Sequence, residues 1–225
     1  MDSKYRIQFQ KGLSLPEFIM KFGTREQCEQ HLFKHKWNNG FICGKCGSRT
    51  SSHFNKGKHT VYECSDCHKQ TSLLVGTLFE RTHLPLPVWY LAIYLISEAK
   101  TGISALDLHR KLGVNHKTAW LMHQKIMHSM LTEEKSRLIS GRIEMDDAYL
   151  GGKLKGGNRG RGSQNKHPFI AAVATDKKGH PLSIKLAPID SFTIKDVAKW
   201  TSEHILPKSH IVSDALTCFT GVEKT

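Results

Sequence analysis

Cys43-Gly44-Lys45-Cys46 and Cys64-Ser65-Asp66-Cys67 are two C-x2-C pairs with seventeen residues between them. Two thiolates on one tight turn can supply half of the shell of a tetrahedral metal ion, and a second such turn completes it. A closed four-sulfur shell leaves no position for water, so the pattern predicts a structural zinc ribbon over residues 40–80. A thioredoxin-like redox pair is the alternative, but a redox site does not need two pairs at ribbon spacing.

Cys28 lies outside these pairs, on a predicted helix and four residues before Leu32. Residues at this spacing share one face of a helix. We therefore expect Cys28 to be a small core residue, not a ligand, in an N-terminal helical segment that covers residues 1–39. No apolar run follows the charged N-terminus, so no signal peptide is expected and disulfides are disfavoured.

The charge of the chain favours a polyanionic partner. Its 225 residues include 33 lysines and arginines against 20 acidic residues, which gives a net charge of +13. DNA, RNA or an anionic membrane would attract this surplus, and solvated lysines on an ordinary soluble protein are the alternative. The most apolar stretch, residues 88–96, is far shorter than the roughly 20 residues that span a bilayer. We therefore expect a cytoplasmic protein without a membrane partner, associated with the nucleoid when it is bound to DNA.

Residues 81–138 have the periodicity of a helix-turn-helix domain. Apolar residues predict a buried helix at 88–99, and shorter helices follow at 104–112 and 116–130, separated by Gly113. In this motif the N-terminal residues of the second helix face the DNA major groove. The candidates for DNA contact are His116, Lys117, Thr118 and Gln124, with Trp120 as a further candidate. An ordinary helical hairpin is the alternative.

From Gly141 onward the periodicity changes from helical to extended. Strands are predicted at 142–149, 168–175 and 181–187, followed by a helix capped at Thr193 and a fourth strand that ends at Asp214. A meander, a helix and a fourth strand returning parallel to the first form the opening of an RNase H-like fold. The sequence thus predicts an α+β multidomain chain: a zinc ribbon, a helical helix-turn-helix domain and, over 139–225, a partial RNase H-like α/β domain with a mixed sheet.

The predicted topology brings carboxylates together. Asp146 on the first strand and Asp214 at the end of the fourth should meet at one edge of the sheet, where their oxygens could hold Mg²⁺ or Mn²⁺. A structural aspartate pair is the alternative. Glu144 and Asp147 compete with Asp146 as the acid on the first strand. Strand alternation sends Glu144 and Asp146 to one face of the sheet and Asp147 to the other.

A glycine-rich segment, residues 151–166, separates the first two of these strands and contains cations but no acid. Its basic residues are Lys153, Lys155, Arg159, Arg161 and Lys166. They predict either a mobile phosphate clamp beside the metal site or a flexible, solvated hairpin tip.

These features, in this order, resemble the DDE-type bacterial insertion-sequence transposases that carry a zinc-ribbon head. The matching stretches are the two cysteine pairs, residues 76–79, 84–89, 102–106 and 117–120, and the most specific stretch, Glu144-Met145-Asp146-Asp147-Ala148-Tyr149-Leu150-Gly151-Gly152. The resemblance implies that Asp146 is the first catalytic acid and Asp214 the second. It also implies Mg²⁺-dependent DNA cleavage and strand transfer. The implied partners are the terminal inverted repeats of an element and target DNA, with a homo-oligomer assembled on the DNA.

The end of the sequence departs from the family that it resembles. There a third metal-site residue lies on a later helix, after another helix and strand, whereas this sequence stops at Thr225. Glu223 is the only acid after Asp214, and it is not assigned that role. We therefore expect either a fragment or the product of a truncated reading frame, which binds DNA but cleaves it little or not at all. The competing function is a non-catalytic DNA-binding protein or regulator, which would need no facing carboxylates.

Overall fold

Two compact units make up the part of the chain that the computed structural model describes, namely residues 12–57, 59–152, 165–214 and 216–224. One unit spans Gly12–Leu131, and the other begins at Thr132. Buried apolar side chains form a separate core in each unit. The predicted α+β architecture with one mixed sheet is confirmed.

The first unit combines helices with a small sheet. Its elements are α1 (Leu15–Phe22), α2 (Arg25–Lys36), β1 (Ser51–Lys56), β2 (His59–Cys64), β3 (Gln70–Ser72), α3 (Leu86–Glu98), α4 (Ala105–Leu112) and α5 (His116–Ser136), the last of which continues past the end of the unit.

The first two helices begin at capping residues, Ser14 and Thr24. The backbone N–H of Glu17 donates to the Ser14 hydroxyl at 3.4 Å, and the Glu17 carboxylate accepts from the Ser14 N–H at 2.9 Å. The hydrogen bonds from the Ser14 hydroxyl and N–H lower the pKa of Glu17. Thr24 and Gln27 form the same reciprocal pair at the start of α2. Each pair satisfies backbone donors that the start of a helix leaves without partners.

Helix α3 lies at the centre of the first core. None of residues 86–96 is exposed, which confirms the predicted buried helix. The Tyr90 hydroxyl donates to the Cys28 carbonyl at 3.2 Å, and the Cys28 thiol donates to the Phe22 carbonyl at 3.3 Å. Cys28 is fully buried, so this cysteine is a core residue, as predicted, and its burial raises the pKa of the thiol to about 11. Among the described helices, none is both long and apolar enough to cross a membrane.

The ribbon sheet has the strand order β1-β2-β3, and both pairings are antiparallel. The sequence did not indicate β1, because its residues are almost all exposed and show no apolar alternation. Lys36 ties this sheet to α2. Its ammonium donates to the carbonyls of Ser72, Leu73 and Val75 at 3.2, 3.1 and 2.5 Å.

The second unit is built on a four-stranded sheet. Its elements are β4 (Arg142–Leu150), β5 (His167–Thr175), β6 (Pro181–Pro188), α6 (Ile194–His204), β7 (His210–Ser213) and a 3-10 helix at Thr217–Lys224. The strand order is β6-β5-β4-β7. β5 pairs antiparallel with both neighbours, and β7 pairs parallel with β4. The predicted return of the fourth strand beside the first is therefore confirmed.

The two faces of this sheet differ in burial. Ile143 and Ile170 are 0% exposed and belong to the same core cluster as Trp200 of α6. On the opposite face the β6 side chains Leu182, Ile184 and Leu186 are 63%, 47% and 53% exposed. Alternation along the strands produces both faces, because successive side chains point in opposite directions.

Lys185 is a buried cation on the α6 face, where only 1% of the residue is exposed. Its ammonium donates to the backbone carbonyls of Glu134 and Arg137, the second at 2.9 Å, and lies 3.5 Å from the Glu134 carboxylate. A buried charge is tolerated only when partners replace its water. These contacts hold the C-terminal end of α5 against β6.

Ile143→Ala should lower the free energy of unfolding by about 2–5 kcal/mol, because it leaves a cavity in a fully buried site. Ile184→Ala is the matched change on the exposed face and should cost less than about 1 kcal/mol. Denaturant unfolding followed by circular dichroism measures both values. Equal losses would contradict the assignment of a single buried face.

Candidate metal centres and DNA-binding elements

The four cysteines of the C-x2-C pairs converge on one point of the ribbon. The Sγ atoms of Cys43 and Cys67 are 3.5 Å apart, as are those of Cys46 and Cys64. All four sulfur atoms lie within 4.8 Å of one another. Sulfur atoms bound at 2.3 Å to a tetrahedral zinc are about 3.8 Å apart. The cluster therefore fits one zinc ion, with all four residues acting as thiolates.

Backbone N–H groups of the first turn favour ionised sulfur. Hydrogen bonds from the N–H groups of Cys46 and Lys45 lower the pKa of Cys43 to about 6. The N–H of Ser48 also lowers the pKa of Cys46, but the neighbouring Cys67 thiol, burial and the other thiols together raise it to about 12. Four thiolates at these distances need a cation to coexist, and a structural zinc supplies that charge.

Asp146 and Asp214 lie side by side in the second unit. The parallel pairing of β4 with β7 runs from Arg142↔His210 to Met145↔Ser213. Asp146 and Asp214 each follow directly after one residue of the last pair. Both are exposed. One carboxylate oxygen from each lies within 4.8 Å of the other and of an oxygen of Asp147. The backbone N–H of Leu216 donates to Asp214 Oδ1 at 3.3 Å and helps to orient it.

Asp147 joins this pair although strand alternation directs it to the other face. β7 makes its last pair with β4 at Met145, so beyond that residue β4 has no strand beside it on this edge. A half-buried side chain can then reach around the edge toward its neighbour. Glu144 is placed differently, in an ion pair with Arg142 near the start of β4. Of the two competing acids, the structure brings Asp147 and not Glu144 to the aspartate pair. The short fourth strand was the feature of the sequence that could have predicted this position of Asp147.

Three carboxylates at one strand end form a hard oxygen site. Oxygens on opposite sides of an octahedral Mg²⁺ are about 4.2 Å apart, so small side-chain rotations would adapt the cluster to the ion. Like charges repel at these separations, and a divalent cation relieves the repulsion. The donor set therefore fits Mg²⁺ or Mn²⁺, and the exposure of Asp146 and Asp214 leaves access for a phosphate.

The turn between α4 and α5 is fixed by local hydrogen bonds. Gly113 has a φ of +66°, which glycine adopts without strain, and its N–H donates to the His109 carbonyl at 3.0 Å. The His109 ring hydrogen-bonds through Nδ1 to the Val114 carbonyl. Asn115 Oδ1 accepts from the Thr118 N–H at 2.7 Å and caps α5. Gly113 therefore forms the turn between the two predicted helices.

The candidate DNA-contacting residues differ in exposure. His116, Lys117 and Gln124 are exposed, Trp120 is 49% exposed, and Thr118 is half-buried. Lys117, Trp120 and Gln124 recur at helical spacing on one face. The buried positions of α5 in this unit lie on another face and are Ala119, Met122 and Ile126.

The basic segment after β4 falls largely outside the described residues. The candidates Lys153, Lys155, Arg159 and Arg161 all lie in the part that is not described. Its two ends are described. Gly151 has a φ of +145°, and a Cβ there would lie 2.1 Å from the Asn165 carbonyl oxygen, so only glycine fits. The Asn165 amide donates to the Gly152 carbonyl. The base of this hairpin is therefore closed.

Cys64→Ser should reduce zinc content and unfold residues 40–75, because zinc affinity supplies about 10–16 kcal/mol of folding free energy in small zinc modules. Metal analysis of the reduced protein should find one zinc per chain before the change and less than half an equivalent after it. Hydrogen exchange should report the loss of protection in the first unit only. Cys28→Ser, which alters a buried cysteine outside the shell, should retain the zinc. A wild-type content below half an equivalent would exclude the site.

Two domain models match this chain. Residues 138–225 match the ISXO2-like transposase domain, and residues 23–70 match the transposase zinc-ribbon domain. The chain is also similar to a Halobacterium salinarum protein described as an uncharacterized protein in transposable element ISH50. The two are 27% identical over 151 residues, which cover 66% of this chain and 49% of the relative, so the chain spans about half of that protein's length. The chain therefore carries an ISXO2-like transposase domain and a transposase zinc-ribbon domain.

Proposed function

We propose that this chain acts in DNA transposition. Residues 81–138 bind the terminal inverted repeats of an element, and Asp146 with Asp214 binds the Mg²⁺ or Mn²⁺ ions for DNA cleavage and strand transfer into target DNA. The observation that carries the proposal is the convergence of carboxylate oxygens within 4.8 Å of one another where β7 ends beside the middle of the parallel strand β4. A protein that only binds DNA has no need of such an oxygen cluster.

The carboxylates contribute by holding cations at a fixed place. Bound Mg²⁺ or Mn²⁺ would polarise the scissile phosphate and stabilise the attacking and leaving oxygens of an in-line displacement. Asp146 extends from a strand that is paired on both sides up to Met145, and Asp214 follows the strand beside it. Asp147 offers a further oxygen. Backbone pairing thus positions the ligands before DNA arrives, which lowers the cost of assembling the site.

DNA binding in this proposal combines charge with base contacts. The net charge of +13 attracts the phosphate backbone without regard to sequence. Lys117 and Gln124 occupy the exposed face of α5, where side chains of this length can hydrogen-bond to base edges in the major groove. His116 and Thr118 lie at the start of the same helix. We also retain Lys153, Lys155, Arg159 and Arg161 as proposed phosphate contacts.

Assembly on DNA follows from the geometry of the substrate. An element has two ends, and each end needs its own recognition helix and metal site. We therefore propose that at least two copies of the protein act together on the DNA.

A DNA-binding protein without catalysis is the second candidate function. It is favoured by the compactness of Gly12–Leu131, which has its own core and contains both the ribbon and the helix-turn-helix. DNA binding by this unit would not require the carboxylates. Divalent-ion binding at Asp146 separates the two candidates, because a regulator of this kind needs no Mg²⁺.

Asp146→Asn should weaken Mn²⁺ binding at least tenfold, because it removes a charged ligand from the cluster. Isothermal titration of the zinc-loaded protein with Mn²⁺ measures the affinity. Glu144→Gln is the matched control, since it neutralises an exposed acid on the same face of the same strand but outside the cluster. Equal affinities for wild type and Asp146→Asn would remove the nuclease function and leave DNA binding alone.

Lys117→Ala should weaken binding to a duplex carrying an element end by about 5- to 150-fold, which corresponds to the loss of one specific base contact of roughly 1–3 kcal/mol. Binding to a random duplex should change much less. Fluorescence anisotropy at several salt concentrations measures both. Lys21→Ala, which removes an exposed lysine from α1, is the control. Equal losses on both duplexes would make Lys117 a phosphate contact, and no loss on either would exclude α5 as the recognition helix.

A further inference from the structure

An aromatic side chain, Tyr149, lies on the same strand as Asp146 and Asp147 and has an ammonium group beside its ring. Tyr149 follows Asp147 by two residues on β4, which is about 6.6 Å along a strand. Alternation directs both side chains to the same face, from which Asp147 reaches around the edge of β4 to the aspartate pair. The Lys166 Nζ is 6.0 Å from the centroid of the Tyr149 ring, and the Phe192 ring meets Tyr149 edge to face at 5.4 Å. Tyr149 belongs to the most specific matching stretch and Lys166 to the basic segment, but the sequence relates neither of them to the other or to Phe192.

The surroundings hold Tyr149 in place but leave its ring accessible. Phe192 packs against the second core and supports one side of the tyrosine. The close approach of Gly151 to Asn165 fixes the base of the hairpin from which Lys166 extends. Tyr149 itself is half-exposed. At 6.0 Å the ammonium is at the outer limit of a cation–π contact, so it covers the ring only loosely.

We propose that Tyr149 and Lys166 form a subsite for the nucleotide at, or next to, the phosphate bound at the carboxylates. The inference rests on the proposed function. The nucleobase stacks on the Tyr149 ring, and the flexible Lys166 side chain moves from the ring to the adjacent phosphate. Aromatic rings bind unpaired bases of any sequence in this way, and a neighbouring cation contacts the backbone. The ligand is therefore a single-stranded or frayed DNA end.

Two other positions of the DNA relative to Tyr149 would give different experimental results. If Tyr149 only closes the hairpin, no base contacts it. If the DNA strand crosses the other face of the sheet, it would meet the half-exposed Phe169, which pairs with Ala148 and alternates to the face of Asp146. Phe169 is thus a matched aromatic position on the opposite face.

Photocrosslinking on the wild-type protein tests the subsite without altering the fold. Duplexes with a single-stranded extension would carry 5-iodouracil at successive positions, with Ca²⁺ present to occupy the carboxylates. We expect a crosslink to Tyr149 from one or two adjacent positions, identified by mass spectrometry. Crosslinks to Phe169 or elsewhere, with none to Tyr149, would overturn the subsite and leave the proposed function standing. Absence of any DNA binding would overturn both.

Variants give a second measurement with the same DNA. In place of iodouracil, 2-aminopurine at the crosslinking position reports stacking through quenched fluorescence. Tyr149→Leu should abolish the quenching and weaken binding at least fivefold, whereas Tyr149→Phe should keep both and Phe169→Leu should change neither. Lys166→Ala should keep the quenching. It should reduce the slope of log affinity against log salt concentration by about one, which corresponds to the loss of one phosphate contact. Unchanged quenching in Tyr149→Leu would overturn the proposal.

Discussion

The parallel pairing of β4 with β7 is the interaction on which the second unit depends. Parallel neighbours need a crossover connection, and α6 provides it while burying Val197 and Trp200 against the sheet. The same pairing sets Asp214 beside Asp146. A register shift of one residue would turn Asp214 to the other face, so core packing and the geometry of the carboxylates are fixed by one set of backbone hydrogen bonds.

The ribbon of the first unit is stabilised differently from the sheet of the second unit. β1 is nearly all exposed, and such a small sheet buries too little apolar surface to fold alone. The four-cysteine cluster and the three carbonyl contacts of Lys36 therefore add to the apolar contacts that Phe41, Leu73 and Leu74 make in the first core. The helices around α3 instead rely on aromatic packing, as with the stacked rings of Phe79 and Tyr90. Helix α5 is thus supported by the first core through Ala119, Met122 and Ile126.

Most elements could be predicted because their signals are local. Ser14, Thr24 and Asn115 cap helices through their own side chains, and glycine at 113 marks a turn that tolerates positive φ. The order of strands followed from chain connectivity. The exposed strand β1 gave no apolar pattern to detect, and the position of Asp147 depends on where a neighbouring strand ends. Lys166 above Tyr149 joins residues seventeen positions apart, which periodicity cannot relate.

β7 has only four residues, lies at the edge of the described sheet and is mostly exposed. Short edge segments open at low free-energy cost while the rest of a domain stays folded. Each opening would carry Asp214 away from Asp146 and dissolve the ion site for that interval. An ion that binds only the closed form would pull this equilibrium toward closure. Divalent-cation affinity would then report the local stability of one edge strand as much as the chemistry of its ligands.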